Sequence, residues 1–247
     1  MKLIINADDF GLTKGVSDGI LDCIEKGVVT STTAMVNGLY FEKAIEEAKK
    51  RNFKNIGIHL TLTWGKTILP VNKIQSLVDK KGYFYKRTPE DKPNYEEVRE
   101  ELRAQIEKFL STGIKPTHFD GHHHFYAFDE EILNVVLDLS KEYDLPLRGM
   151  PELMEYYTKK GVRSTEVFTS EFYNENAEEG KLLSIISKYK QFKTVEIMCH
   201  PAYVDEDLIN ATSYNKHRKQ EFQILISEKI KEFINKENIE LIAYNEL

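Results

Sequence analysis

The sequence predicts an α/β fold with mainly parallel strands, curled into a deformed (β/α) barrel of about seven strands. Three observations carry that expectation. Short apolar runs alternate with amphipathic helical patterns along the 247 residues, as strand–helix–strand units require. Polar residues of catalytic type recur at the ends of several runs, and a barrel gathers its strand ends on one face. No internal repeat or low-complexity tract breaks the chain, so residues 1–247 read as a single domain.

The first run, Leu3 to Ala7, precedes a helix with Val16, Ile20 and Ile24 on one face and Gly27 as its stop. Thr32 to Val36 forms the second run, before a helix carrying Phe41, Ile45 and Ala48. Ile56 to Leu62 alternates strictly, which marks a strand with two chemically different faces. Between Trp64 and Pro93 the pattern fails. Gly65, Pro70, Gly82, Pro89 and Pro93 surround Tyr83, Phe84 and Tyr85 there, and the stretch reads as an insertion or lid at about 64–93, or else a plain surface excursion.

Alternation then resumes. Asn94 with Glu97 predicts a capping box for a helix bearing Val98, Leu102, Ile106 and Phe109. Pro116 to His124 reads as a strand and its exit loop, and Asp129 opens a helix buried along Ile132, Val135, Val136 and Leu139. Leu147 to Met150 is expected as a short strand, followed by a less regular stretch over 151–180. A helix through Leu182, Ile185, Ile186 and Tyr189 leads into a strand from Thr194 to Cys199. One last helix, from Phe222 to Phe233, precedes a strand from Glu240 to Ala243.

Composition removes several function classes. The chain carries 34 Lys and Arg against 40 Asp and Glu, a net charge of −6, which offers no broad basic footprint for nucleic acid. With 41% hydrophobic and 30% charged residues it is globular, not disordered. A chain this long buries roughly 70–75% of its unfolded surface, so its core needs no disulfide or metal staple. Cys23 and Cys199 make no CxxC pair. The apolar start Met1–Ile5 is too short for a signal-peptide core, and no run approaches the roughly 18 apolar residues of a membrane span. A cytoplasmic protein is expected.

Three places carry chemistry: Asn6-Ala7-Asp8-Asp9-Phe10-Gly11, the isolated His59, and His118-Phe119-Asp120-Gly121-His122-His123-His124. Ile56, Ile58, Leu60 and Leu62 share one strand face, so His59 points the other way, into the barrel. His118, Asp120 and His122 share a face, as do Glu196, Met198 and His200. Each feature alone has a bland reading: a core histidine, a solvated turn, a helix-capping acid pair. Together, at the ends of strands, they are what a divalent metal site with a general base requires. His217 reads as a surface residue and His118 as structural. Cys199 lies on the face opposite His200, which excludes a Cys–His nucleophile pair. The sequence has no GxSxG elbow and no P-loop.

These segments, with Thr30-Ser31-Thr32-Thr33, Met35-Val36-Asn37-Gly38, Gly57-Ile58-His59-Leu60, Lys115-Pro116-Thr117-His118 and Met198-Cys199-His200-Pro201, resemble the YdjC-like carbohydrate deacetylases, which include chito-oligosaccharide deacetylases. The likeness runs from near the N-terminus to about residue 203. It implies a barrel of the glycoside hydrolase/deacetylase type and hydrolysis of an N-acetyl group on an amino sugar or short chito-oligosaccharide, with or without a 6-phosphate. It also implies a divalent metal, commonly magnesium, on His59 and His122; by analogy with related deacetylases, Asp9 completes the ligand set and Asp8 is the base. Two histidines and a carboxylate also suit zinc or ferrous iron. Gly121 departs from the family pattern, where serine is common.

In the mechanism this implies, Asp8 deprotonates water and a cationic His200 protonates the leaving amine. Arg148 would orient Asp8 and hold it ionised. His124 is a second candidate acid or substrate contact, and Trp64 a sugar platform with Tyr83, Phe84 or Tyr85. Lys66 and Arg87 could meet a phosphate. The expected partner is a small carbohydrate, and the family and the insertion point to a homodimer. Two other readings stand beside this one: a metal-dependent phosphoesterase, and a non-catalytic sugar-binding protein.

Overall fold

The computed structural model describes residues 1–85 and 92–247. In chain order the elements are β1 (Lys2–Phe10), α1 (Lys14–Lys26), β2 (Ser31–Ala34), α2 (Phe41–Lys50), β3 (Ile56–Leu60), α3 (Tyr95–Leu110), β4 (Phe119–Gly121), α4 (Glu130–Glu142), α5 (Met154–Lys160), β5 (Val167–Thr169), α6 (Glu179–Tyr189), β6 (Thr194–Cys199), α7 (Glu206–Ala211), α8 (Lys216–Leu225), α9 (Glu228–Lys236) and β7 (Glu240–Leu241). Every strand pairing is parallel, in the order β4-β3-β2-β1-β6-β5. The nine-residue β1 pairs β6 from Lys2 to Ala7; its other edge takes β7 at Lys2 and Leu3 and β2 from Asn6 onward.

The sheet curls into a half-barrel. Between its edges β4 and β5 only a partial pairing continues: Leu147 bridges Phe119 in parallel, and its N–H donates to the Arg163 carbonyl at 3.0 Å. The expected strand over Leu147–Met150 is reduced to that single bridge. The seventh strand is instead β5, inside the stretch read as irregular. Three residues are too few to show a period in sequence.

The strand interiors explain the apolar runs. Leu3, Ile5 and Ala7 pack into the main core under the helices, while Ile4 meets Ile242 and Tyr244 on the inner face. Asn6 and Asp8 follow Ile4 on that inner face, so the barrel changes from apolar at the bottom to polar at the top. Gly57 lies on the inner face of β3. A Cβ there would come within 2.5 Å of the His118 ring, which stacks on Tyr244 with centroids 3.6 Å apart. His118 is thus a packing residue low in the barrel.

Two helical expectations change. Asn94 caps α3 by accepting from Glu96 N at 3.0 Å, but Glu97 does not close a capping box. Its carboxylate accepts the N–H and the hydroxyl of Ser76, both at 2.8 Å. One turn on, the buried Glu101 accepts from Ile68 N and Leu69 N, both at 2.9 Å, so α3 fastens the irregular segment to the barrel. The expected final helix is two, because α8 stops at Leu225 with Ile226 as its C-cap and Ser227 caps α9 by accepting from Ile230 N. Among the described residues no helix is long and apolar enough to cross a membrane.

Candidate active site

Neighbouring strand residues point to opposite faces, so Asp8 and Asp9 could not both enter one pocket from a regular strand. The register of β1 against β2 shifts between Ala7 and Phe10, and Asp9 takes a left-handed conformation at φ 71°. This bulge turns both carboxylates inward. Aspartate is among the few residues that enter this region, at a cost of about 1 kcal/mol.

Asp9 Oδ1, His59 Nε2 and His122 Nδ1 converge. The two imidazole nitrogens lie 3.3 and 3.2 Å from the oxygen and 3.2 Å from each other. A cation roughly 2.1 Å from each donor would hold donors roughly 3.0–3.4 Å apart in octahedral or tetrahedral geometry, so the triad fits a divalent metal. Asp9 Oδ1 is buried and accepts no hydrogen bond, as a waiting ligand atom should be. His59 is oriented from behind: its Nδ1 lies 2.7 Å from Asp120 Oδ1, and Thr33 Oγ1 donates to Asp120 Oδ2 at 2.9 Å. A carboxylate behind a ligating histidine fixes its ring and tautomer. Burial disfavours the His59 cation, yet Asp120, Asp9 and Asp8 together lift its pKa to about 10. Burial likewise opposes ionised Asp9, but Arg218 and the two imidazoles hold it well below the ordinary carboxylate value.

Arg148, fully buried, organises the other half of the pocket. Its Nη1 and Nη2 donate to the two oxygens of Asp8 at 2.7 and 2.6 Å, and its Nε donates to Glu196 at 2.8 Å. Nη2 also lies 3.0 Å from Asp120. Burial alone would raise the Asp8 pKa; the bidentate arginine overrides it and keeps Asp8 ionised. Glu196, which also accepts from the Tyr244 hydroxyl, is pushed up to about 7 by its burial. Asp8, His59 and Asp120 form a second group of the kind that holds metals, but the Arg148 guanidinium already supplies the positive charge there.

His200 follows β6, with Nε2 4.0 Å from Asp8 Oδ2 and the rings of Tyr173 and Tyr214 5.4 and 5.5 Å away. Burial lowers its pKa to about 3, which favours the neutral imidazole at rest. Its neighbour Cys199 points away and lies 3.4 Å from the Asn6 carbonyl.

After β4 the chain winds into a tight turn in which His123 and His124 both adopt positive φ, 56° and 51°. That turn separates the three histidines. His122 joins the triad, and His123 swings to Thr63 Oγ1 at 3.0 Å. His124 is half-buried against Phe168, its Nδ1 unpartnered and its pKa lowered by desolvation to about 4. Gly121, just before the turn, has no room for a side chain, since a Cβ would meet the Tyr126 ring at 2.8 Å. Trp64 donates its indole N–H to the Ala211 carbonyl at 3.1 Å, tying the irregular segment to the end of α7. Lys66 sits over the Tyr83 ring, its Nζ 5.4 Å from the centroid. Arg87 and Pro89 lie outside the described residues. A groove lined by Leu62, Thr63, Leu77, Tyr85, Phe125 and Phe128 opens beside the histidine turn.

The structure therefore gathers Asp8, Asp9, His59, His122, His200, Arg148 and His124, and adds residues that the sequence reading missed. Arg218 donates to Asp9 Oδ2 at 2.6 Å, and Glu221 accepts from the His200 backbone N–H and the Tyr214 hydroxyl. Both come from α8, one turn apart, on the buried face that also carries Leu225. Charged residues at core spacing in a helix were the available signal. Asp120, Glu196 and Thr33 had no sign beyond facing inward. Around the pocket five buried carboxyls (Asp8, Asp9, Asp120, Glu196 and Glu221) meet two buried arginines, and burial pushes Glu196 and Glu221 up to about 7, which reduces the negative charge that they add.

The YdjC-like protein family model matches residues 2–236. A carbohydrate deacetylase of Thermoanaerobacter pseudethanolicus is 37% identical, over 98% of both chains. A chitooligosaccharide deacetylase of Yersinia enterocolitica is 36% identical, over 99% of this chain and 98% of that one. In structure, a proposed cellobiose-phosphate cleavage protein of Enterococcus faecalis V583 aligns at a TM-score of 0.94 with 39% identity, covering 99% of this chain and 98% of that one.

Proposed function

The chain belongs to the YdjC-like family, and from that premise we propose that it is a carbohydrate N-deacetylase, which uses a divalent metal to release acetate from an acetylated amino sugar or short chito-oligosaccharide, with or without a 6-phosphate. The observation that carries this reading is the convergence of Asp9 Oδ1, His59 Nε2 and His122 Nδ1, with the arginine-held Asp8 and His200 beside them. A divalent cation on those three donors, magnesium first and zinc second, would supply Lewis acidity toward water and the acetyl oxygen.

The protein's own groups do the rest. Asp8 takes a proton from the attacking water, and Arg148 keeps both Asp8 oxygens aimed and ionised for that step. As the C–N bond breaks, the departing nitrogen needs a proton, and His200 is placed to give it. Since His200 is neutral at rest, it must first receive that proton, and Asp8, 4.0 Å away, is the group that holds it. His124 and the groove beside the histidine turn form the sugar-binding side in this reading. Trp64 contributes by tying the start of the irregular segment to the end of α7, within the same domain. The two free, buried cysteines suit a cytoplasmic location, and exposed Leu39, Phe128 and Ile209 offer apolar surface for a homodimer.

The phosphoesterase reading needs more metals than one triad holds, and the second donor group has Arg148 in it. A pure sugar binder has no use for Asp8 and His200. The test is acetate release from N-acetylated chito-oligosaccharides, with and without a 6-phosphate, by metal-stripped protein and after return of magnesium, zinc, manganese or cobalt. Metal-dependent acetate supports the proposal. No acetate from folded, metal-loaded protein on any substrate would sink it.

A further inference from the structure

The two adjacent aspartates are held by different arginines in different ways. Arg148 takes both oxygens of Asp8. Arg218 takes one oxygen of Asp9, Oδ2, at 2.6 Å, and leaves Oδ1 to face His59 and His122. Arg218 is 3% exposed and cannot drift: Nε donates to the Tyr214 carbonyl at 2.7 Å, the guanidinium sits over the Tyr214 ring, and its own carbonyl accepts from Ala202 N at 3.2 Å. Its Nη1 is buried and makes no hydrogen bond to the protein.

We propose that Arg218 is a positioning residue that limits Asp9 to one-oxygen ligation and restrains how tightly the triad binds its cation. The inference rests on the reading that Asp9, His59 and His122 hold the metal. A carboxylate facing a hard cation can give one oxygen or two. The charge-assisted bond to Arg218 removes Oδ2 from that choice, and with Asp9 pinned in the β1 bulge the carboxylate cannot turn without breaking it. Arg218 also places a positive charge on the same carboxylate that the cation uses. Restraint of this kind leaves coordination positions open for water and the acetyl oxygen.

The sign of the effect is the test. Removing a structural support loosens a metal, whereas removing Arg218 frees Oδ2, deletes a competing charge and tightens it. Metal-stripped full-length protein is titrated with Co²⁺ alone at pH 8, followed by calorimetry and visible absorption. Arg218→Met is expected to bind Co²⁺ about tenfold tighter or more, with a weaker visible band as an extra oxygen enters the coordination sphere, and to lose turnover. Arg218→Lys, which keeps the charge, is expected to bind like wild type. A folded Arg218→Met with wild-type or looser affinity and an unchanged band would overturn the proposal. Should that variant not fold, Arg218→Gln carries the same expectations and the same overturning result. Asp9→Asn and His122→Ala separate the two failures: if neither weakens Co²⁺ binding, the ligand assignment is wrong, whatever Arg218 does.

Discussion

The pocket has two halves built on opposite plans. Around Arg148 the carboxyls are matched: Asp8 has its bidentate partner, Glu196 has Arg148 and Tyr244, and Asp120 has His59, Thr33 and Arg148. Around Asp9 two polar atoms are left over, since Asp9 Oδ1 and Arg218 Nη1 are buried without partners. Buried polar groups are costly unless satisfied, so two such atoms on adjoining charged groups fit a site that takes a charged ligand. The first half holds Asp8 ionised inside a closed network. The second presents a donor set that fits a divalent cation.

The contrast can be broken from either side. The largest effect is expected from His122→Ala, which removes a triad donor that the fold does not need. Turnover should fall by at least about 10³-fold with the melting temperature nearly unchanged, and near-normal activity would reject the site. Arg148→Met should act the other way, on the fold: it strands three buried carboxyls and should cost about 3–5 kcal/mol in denaturant unfolding, besides activity.

Glu221→Gln sharpens the comparison through pH. Burial raises Glu221 from 4.5 to about 7 in the folded protein. A raised carboxyl binds its proton more tightly when folded, so this group's stability contribution is intact below pH 4.5 and is lost as pH climbs to about 7. The loss amounts to about 3 kcal/mol. Glu221→Gln should flatten that part of the profile; equal slopes for variant and wild type would refute the assignment. The smallest effect is expected at Trp64, where Trp64→Phe loses one hydrogen bond to Ala211 and about 1 kcal/mol, with little change in KM. A large rise in KM would instead put the indole edge on the sugar.

Legibility in the sequence followed range. Asp129 and Asn94 appeared as caps because a cap is read from a few adjacent residues, and His59 appeared as an inward residue because strict alternation sorts a strand into two faces. The Glu97 box failed for the same kind of reason in reverse. Its local partner lost to Ser76, which only the folded irregular segment brings within reach. The expected count of seven strands matched while its membership did not, since β5 is too short to announce itself and Leu147–Met150 found a single bridge in place of a ladder.

By itself, then, the sequence determined the parallel α/β fold and the strands that carry the chemistry, which follow from residue type and from periods of 2 and 3.6 that act over a few residues. The choice of Asp9, His59 and His122 as candidate donors came from the family resemblance. Tertiary structure alone decided what those donors can do. It set the bulge that turns Asp8 and Asp9 into one pocket, the turn that sends three consecutive histidines three ways, and the choice of Arg218 for Asp9. That partner lies 209 residues away, and no local pattern encodes a contact that exists only once sheet register and curvature are set.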